Sequence, residues 1–121
     1  MCSRIRFTKL NYIKSCVKES FRLHLVAAFN VPHVTTADST VAGYFIPKGS
    51  HIIVNRLWLG RNPKVWDDPL NFNPDHHMMD DKEVVIADHS LRTFSFSTGQ
   101  QGCPAELLAS TVNTVLLASL V

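Results

Sequence analysis

The residue best placed to do chemistry is Cys103, in the stretch Phe94-Ser95-Phe96-Ser97-Thr98-Gly99-Gln100-Gln101-Gly102-Cys103-Pro104-Ala105. Two glycines precede it and a helical pattern begins just after it. Glycine permits tight turns and lets the backbone approach a flat partner closely. A helix N-terminus carries unpaired N–H donors and the positive end of the helix dipole, and both favour thiolate over thiol. A thiolate so placed is a soft metal ligand, and cysteine thiolate is one of the axial ligands of haem iron. Loop physics alone leaves two other readings open. One is a small buried cysteine with no chemistry; the other is a Gly-x-x-Gly turn that holds a phosphate.

A second pair of interest is Glu19 and Arg22, whose i, i+3 spacing puts both on one helical face. On a surface such a pair contributes only about 0–1 kcal/mol. The histidines His33, His51, His76, His77 and His89 show no helical ligand pairing and read as solvated loop residues. Cys2, Cys16 and Cys103 are odd in number and irregularly spaced, a poor framework for disulfides or zinc, which points to a reducing compartment.

The elements that must position these residues form a single short chain. Its 121 residues allow one domain, 1–121, with a small core. The composition, 45% hydrophobic and 18% charged, is that of an ordinary globular protein. Twelve basic and ten acidic residues leave a formal charge of +2 spread along the chain, which gives no argument for nucleic acid. No apolar run approaches the roughly 20 residues of a membrane-spanning helix, and the first residues lack the apolar core of a signal peptide.

Leu10, Ile13, Val17 and Phe21 predict an amphipathic helix from Lys9 to about His24. Val41 to Ile46 and Ser50 to Asn55 read as strands flanking an Ile46-Pro47-Lys48-Gly49 turn. A short helical stretch, Arg56 to Leu59, ends near Gly60. From Pro63 to Ser90 the chain is an irregular meander, long enough to suggest that it wraps around something. Glu106 to Leu120 is helical again, with Leu108, Val112, Val115, Leu116 and Ser119 on one face. The fold class is mainly α with a small β hairpin (α+β).

Three motifs, in the family's order along the chain, carry a resemblance. Phe96, Gly99 and Cys103 stand at the spacing of Phe-x-x-Gly-x-Arg-x-Cys-x-Gly, Glu19-Ser20-Phe21-Arg22 looks like a Glu-x-x-Arg helix, and Phe72-Asn73-Pro74-Asp75-His76-His77 lies where a Pro-Glu-Arg-Phe element belongs. Together they resemble the cytochrome P-450 family, over nearly the whole chain but over only the C-terminal part of a typical member. Phe29-Asn30-Val31-Pro32-His33, Ala42-Gly43-Tyr44-Phe45-Ile46-Pro47-Lys48-Gly49 and Leu59-Gly60-Arg61-Asn62-Pro63-Lys64-Val65-Trp66 are similar to the plant subfamily that N-hydroxylates amino acids to aldoximes.

The resemblance implies haem b as cofactor, with Cys103 as the iron ligand and Phe96, Gly99, Gln101 and Gly102 around it. It also implies Glu19, Arg22 and His76 as a bracing network on the haem side of the core. For a whole parent protein it implies O2, an NADPH-cytochrome reductase, an amino-acid substrate and the cytosolic face of the endoplasmic reticulum. The parent's anchor, oxygen-activating helix and substrate loops would precede this chain, which without the anchor would be cytoplasmic if soluble.

The departures from the pattern fall at Gln101, where the family has a propionate-holding arginine, at Ala105 for glycine, at Asp75 and His76 for Glu-Arg, and at Leu25 for proline. They imply a weakened network. The alternatives to an enzyme are a truncated, non-catalytic remnant and a bare haem- or metal-binding module using Cys103 with His76 or His77.

Overall fold

The computed structural model describes residues 7–78, 83–86 and 91–121; the thiol of Cys2, His89 and parts of the meander lie outside them. Its centre is the helix α1, Phe7–Leu23, against which the short helix α2 (Arg56–Gly60), a 3-10 turn at Pro74–His77 and the helix α3 (Glu106–Leu120) all pack. The helix boundaries follow the periodicity within two residues.

The buried face of α1 differs from the expected one. Ser15, Glu19 and Arg22, spaced i, i+4 and i+7, are completely buried, whereas of the apolar stripe Val17 is buried and Leu10, Ile13 and Phe21 are only half-buried. A polar stripe stays buried only when every donor and acceptor on it is satisfied. Ser15 donates to the Tyr12 carbonyl of its own helix at 2.8 Å, while the meander supplies partners to Glu19 and Arg22 from Pro69 to His77, so it wraps around α1 of this same chain. Val17, Leu23, Trp66, Val84 and Ile86 are the buried apolar side chains among the described residues. The piece Glu83–Ile86 docks along α1: the Val84 amide donates to Asn11 Oδ1 at 3.3 Å, Lys18 Nζ donates to the Val85 carbonyl at 3.1 Å, and Lys14 pairs with Glu83 at 2.6 Å.

The β structure is a ribbon built from β1 (His33–Val34), β2 (Ser39–Val41), β3 (Tyr44–Ile46) and β4 (His51–Ile52). β2 pairs antiparallel with β3, and β1 with β4. The hairpin is therefore present but closes at Ala42-Gly43, not at Pro47–Gly49 as expected from the sequence. Ala42 and Gly43 have φ of 49° and 85°. Two successive positive φ values give the primed turn whose twist matches that of the strands, whereas an unprimed turn would splay them. The Pro47–Gly49 bend instead leads the chain back along β1, with the Ser50 amide on the Pro47 carbonyl (3.2 Å) and the Thr35 amide on the Ser50 carbonyl (3.0 Å). The ribbon continues through a Phe29–Asn55 bridge to α2, which fixes the segment after α1 beside the start of α2.

α3 buries Thr114 against its surroundings. The side expected to be its apolar face, Leu108, Val112, Val115 and Leu116, is exposed. No helix among the described residues is long and apolar enough to cross a membrane.

Candidate functional site

Two arrangements grow out of this framework, a buried charge network and an open cleft, joined by the last turn of α1. Arg22 uses all five of its N–H donors, the full capacity of a guanidinium. Nε and Nη2 donate to the two carboxylate oxygens of Glu19 at 2.8 and 2.7 Å. Nη1 donates to the carbonyls of Gly60 (2.6 Å) and Pro69 (2.7 Å), and Nη2 also to that of Asn71 (3.0 Å). One side chain thereby fastens α1 to α2 and to two points of the meander.

Glu19 is equally saturated. Besides Arg22 it accepts from the Asn73 amide at 2.9 Å, and it meets His76 Nδ1 at 3.2 Å and His77 Nε2 at 2.8 Å. Burial alone would raise its pKa, but hydrogen bonds from Arg22, the Asn73 amide and His77, with the charge of Arg22, outweigh that and bring it down to about 2. The carboxylate is ionised and accepts from both rings, so His76 carries its proton on Nδ1 and His77 on Nε2. Burial pushes His77 down to about 4 despite its bond to Glu19, so His77 is neutral at pH 7.

The histidines read as solvated loop residues are thus, for His76 and His77, part of the network. Both rings also pack against the buried Trp66, with centroids 5.7 and 5.4 Å away. Arg22 and Arg92 place their guanidinium carbons 5.0 and 4.3 Å from the same indole centroid. His76 and His77 face Glu19 and not Cys103, and no group of three or more His, Cys, Asp or Glu suited to a metal ion is found among the described residues. His77 was not among the residues assigned to the network from sequence; the signal for it was the Asn73-Pro74 start of a helical turn, which brings positions 76 and 77 over the capped end together.

The cysteine loop is held by backbone hydrogen bonds and an unusual backbone. The Cys103 amide donates to the Phe96 carbonyl at 2.9 Å and the Gly102 amide to that of Gly99 at 3.0 Å. Phe94, Ser97 and Gly99 have φ of 55°, 63° and 69°. Left-handed non-glycine residues are uncommon, and clusters of them gather where a loop must hold a functional shape. A methyl group at Gly102 would stand 3.2 Å from the Gly99 carbonyl, tighter than side chains tolerate without a shift. The Phe96 ring meets Phe21 of α1 edge-on, with centroids 5.5 Å apart, which ties the loop to the helix that bears Glu19 and Arg22.

The loop forms one side of an open cleft of about 720 Å³, whose other side is the segment after α1 with Phe29, Val31 and His33. Of the candidates named from the sequence, Phe96, Gln101, Gly102 and Cys103 line it and Gly99 lies just outside; Cys103 itself is exposed. Glu19, Arg22 and His76 do not line it. Arg56, which the sequence reading passed over, does line it.

The donor set suits an iron porphyrin: the exposed Cys103, apolar side chains from Phe29, Val31, Pro32, Val34 and Phe96, one guanidinium and no carboxylate among the lining residues. Solved structures of similar shape are cytochromes P450. A zebra fish enzyme with abiraterone superposes on 98% of this chain with a TM-score of 0.75 at 26% identity, and one with progesterone on 90% with 0.73; the chain covers 26% and 23% of theirs.

The sequence model of the family described as Cytochrome P450 matches residues 5–121, and the chain belongs to that family. The chain is 55% identical to cytochrome P450 79B1 of Sinapis alba, 54% to tryptophan N-monooxygenase 1 of Arabidopsis thaliana and 53% to tyrosine N-monooxygenase of Sorghum bicolor, in each case over 93% of its own length. It spans about a fifth of those relatives, 20–21%. The likeness to the amino-acid N-hydroxylating subfamily, and the α+β class as part of the P450 fold, are borne out. The family is one of haem-containing oxidoreductases.

Proposed function

We propose that this chain carries the thiolate ligand of a haem b monooxygenase, with Cys103 bound to the iron, in a protein that N-hydroxylates an amino acid using O2 and electrons from an NADPH-dependent reductase. The observation that carries this reading is the exposed Cys103 thiol in a cleft whose loop is fixed at Phe96 and Gly99. The names of the tryptophan and tyrosine N-monooxygenases support the substrate class. Bound haem supplies the oxygen-activating chemistry, to which a thiolate ligand adds electron density that favours O–O cleavage.

The protein's own residues do the rest by position. Cys103 would hold the iron through its sulfur as a thiolate. Its amide is committed to the Phe96 carbonyl, which fixes the backbone from which the sulfur projects. The Glu19–Arg22–His76–His77 network holds the end of α1, and Phe21 on that helix holds Phe96.

The test is to add haemin to the chain, reduce it under carbon monoxide and record the difference spectrum. A red-shifted Soret band that disappears in Cys103→Ala is the expected result. No such band, or one indifferent to that substitution, overturns the assignment.

A further inference from the structure

Arg56 differs from Arg22 in a way that packing alone does not explain. Its Nη1 donates to the Ser95 carbonyl at 3.1 Å, and its Nη2 to the carbonyls of Ala27 and Phe29 at 3.1 and 3.3 Å. Nε is buried without a partner, and among the described residues no carboxylate pairs with the guanidinium. A half-buried cation is thus held by neutral oxygens alone, with donor capacity to spare. An uncompensated charge of this kind is costly unless an anion completes it.

The position of that charge is specific. Among the described residues lining the Cys103 cleft, Arg56 is the only lysine or arginine and none is acidic. Its bonds bridge the two walls, Ser95 on the cysteine loop and Ala27–Phe29 on the segment after α1. Gln101, also lining the cleft, offers an amide without charge.

We infer that Arg56 supplies the positive charge that holds a carboxylate of the porphyrin, the role that Gln101 can fill only as a neutral donor. This rests on the haem reading above. A guanidinium gives a carboxylate a charge-assisted, directional bond that glutamine cannot replace.

The experiment compares haemin with its dimethyl ester, whose carboxylates are blocked, by Soret titration of the full chain. The wild-type chain is expected to bind haemin about tenfold more tightly than the ester, the effect of one charge-assisted hydrogen bond. Arg56→Gln should lose that preference by weakening haemin alone. Arg56→Lys, which keeps the charge, should retain most of it.

Equal affinity of the wild-type chain for the two porphyrins, or a preference that survives Arg56→Gln, overturns the inference. So does an equal loss of both porphyrins in Arg56→Gln while Arg56→Lys binds neither, because Arg56 then only braces the loop. Cys103→Ala separates this from the haem reading: it should abolish the thiolate band and leave the preference for free carboxylates. A wild-type chain that takes up neither porphyrin overturns both.

Discussion

At the scale of residues, the buried charges set the response to acid. Glu19 is held at about 2 against an ordinary 4.5, and His77 at about 4 against an ordinary 6.5. Both folded values lie below the unfolded ones, so in each window the unfolded chain binds more protons and stability rises with pH. The contribution of His77 is complete above about pH 6.5 and fades as the pH falls to 4; that of Glu19 is complete above about 4.5 and fades toward 2. Acidification should therefore lower the apparent melting temperature in two stages. His77→Phe should remove the upper stage and leave the lower, as followed by circular dichroism against pH; an upper stage that persists in that variant would contradict the assignment. The Glu19–Arg22 pairing was legible in the sequence because both partners lie on one helix three residues apart. His77 and Arg56 were not, because their partners lie 58 residues and 27 to 39 residues away in the chain, separations that no periodicity records.

At the scale of elements, the seat of α2 on α1 depends on the absence of a single methyl group. A Cβ at Gly60 would stand 2.4 Å from the Arg22 carbonyl oxygen and 3.3 Å from its Cγ, and the nearest of these atoms is backbone and cannot turn aside. The same Gly60 carbonyl accepts from Arg22 Nη1, and Arg61 Nη2 donates to the Leu23 carbonyl at 2.9 Å, where a cation also suits the end of a helix. Gly60→Ala should push α2 off this contact and destabilise the chain by about 1–3 kcal/mol, the range for overpacking a fitted site. Gly43→Ala is the comparison: its Cβ meets nothing within 4 Å, so only its φ of 85° is penalised, about 1 kcal/mol. Denaturant midpoints of the two variants check the order, and a Gly60→Ala loss no greater than that of Gly43→Ala would refute it. The helices were legible from apolar periodicity. The hairpin was shifted because Pro47-Lys48-Gly49 carries a strong turn signature, whereas Ala42-Gly43 carries only one residue that favours positive φ.

At the scale of the whole molecule, the chain exposes more surface than it buries well. Its accessible area is 9085 Å², against roughly 6,600 Å² for a compact monomer of this mass. Part of that surface is apolar and lies on α3, where Leu107 and Leu120 are 80% and 84% exposed and Leu108, Val112, Val115 and Leu116 are exposed with them. This also explains why the face of α3 predicted from periodicity is not the buried one. Periodicity reveals that a helix has an apolar side but not what covers it, and the relatives have further chain, roughly four fifths of their length, for such faces to meet. The 121-residue chain by itself should bind a hydrophobic dye and self-associate at micromolar concentration. Leu108→Glu with Leu116→Glu should reduce that association, and, as exposed substitutions, should alter folding stability by no more than about 0.5 kcal/mol. Sedimentation velocity reads the first effect and denaturation the second. An unchanged association state would move the sticky surface from α3 to the exposed ribbon around Tyr44 and Phe45. A large loss of stability would mean that this side of α3 is packed in solution after all.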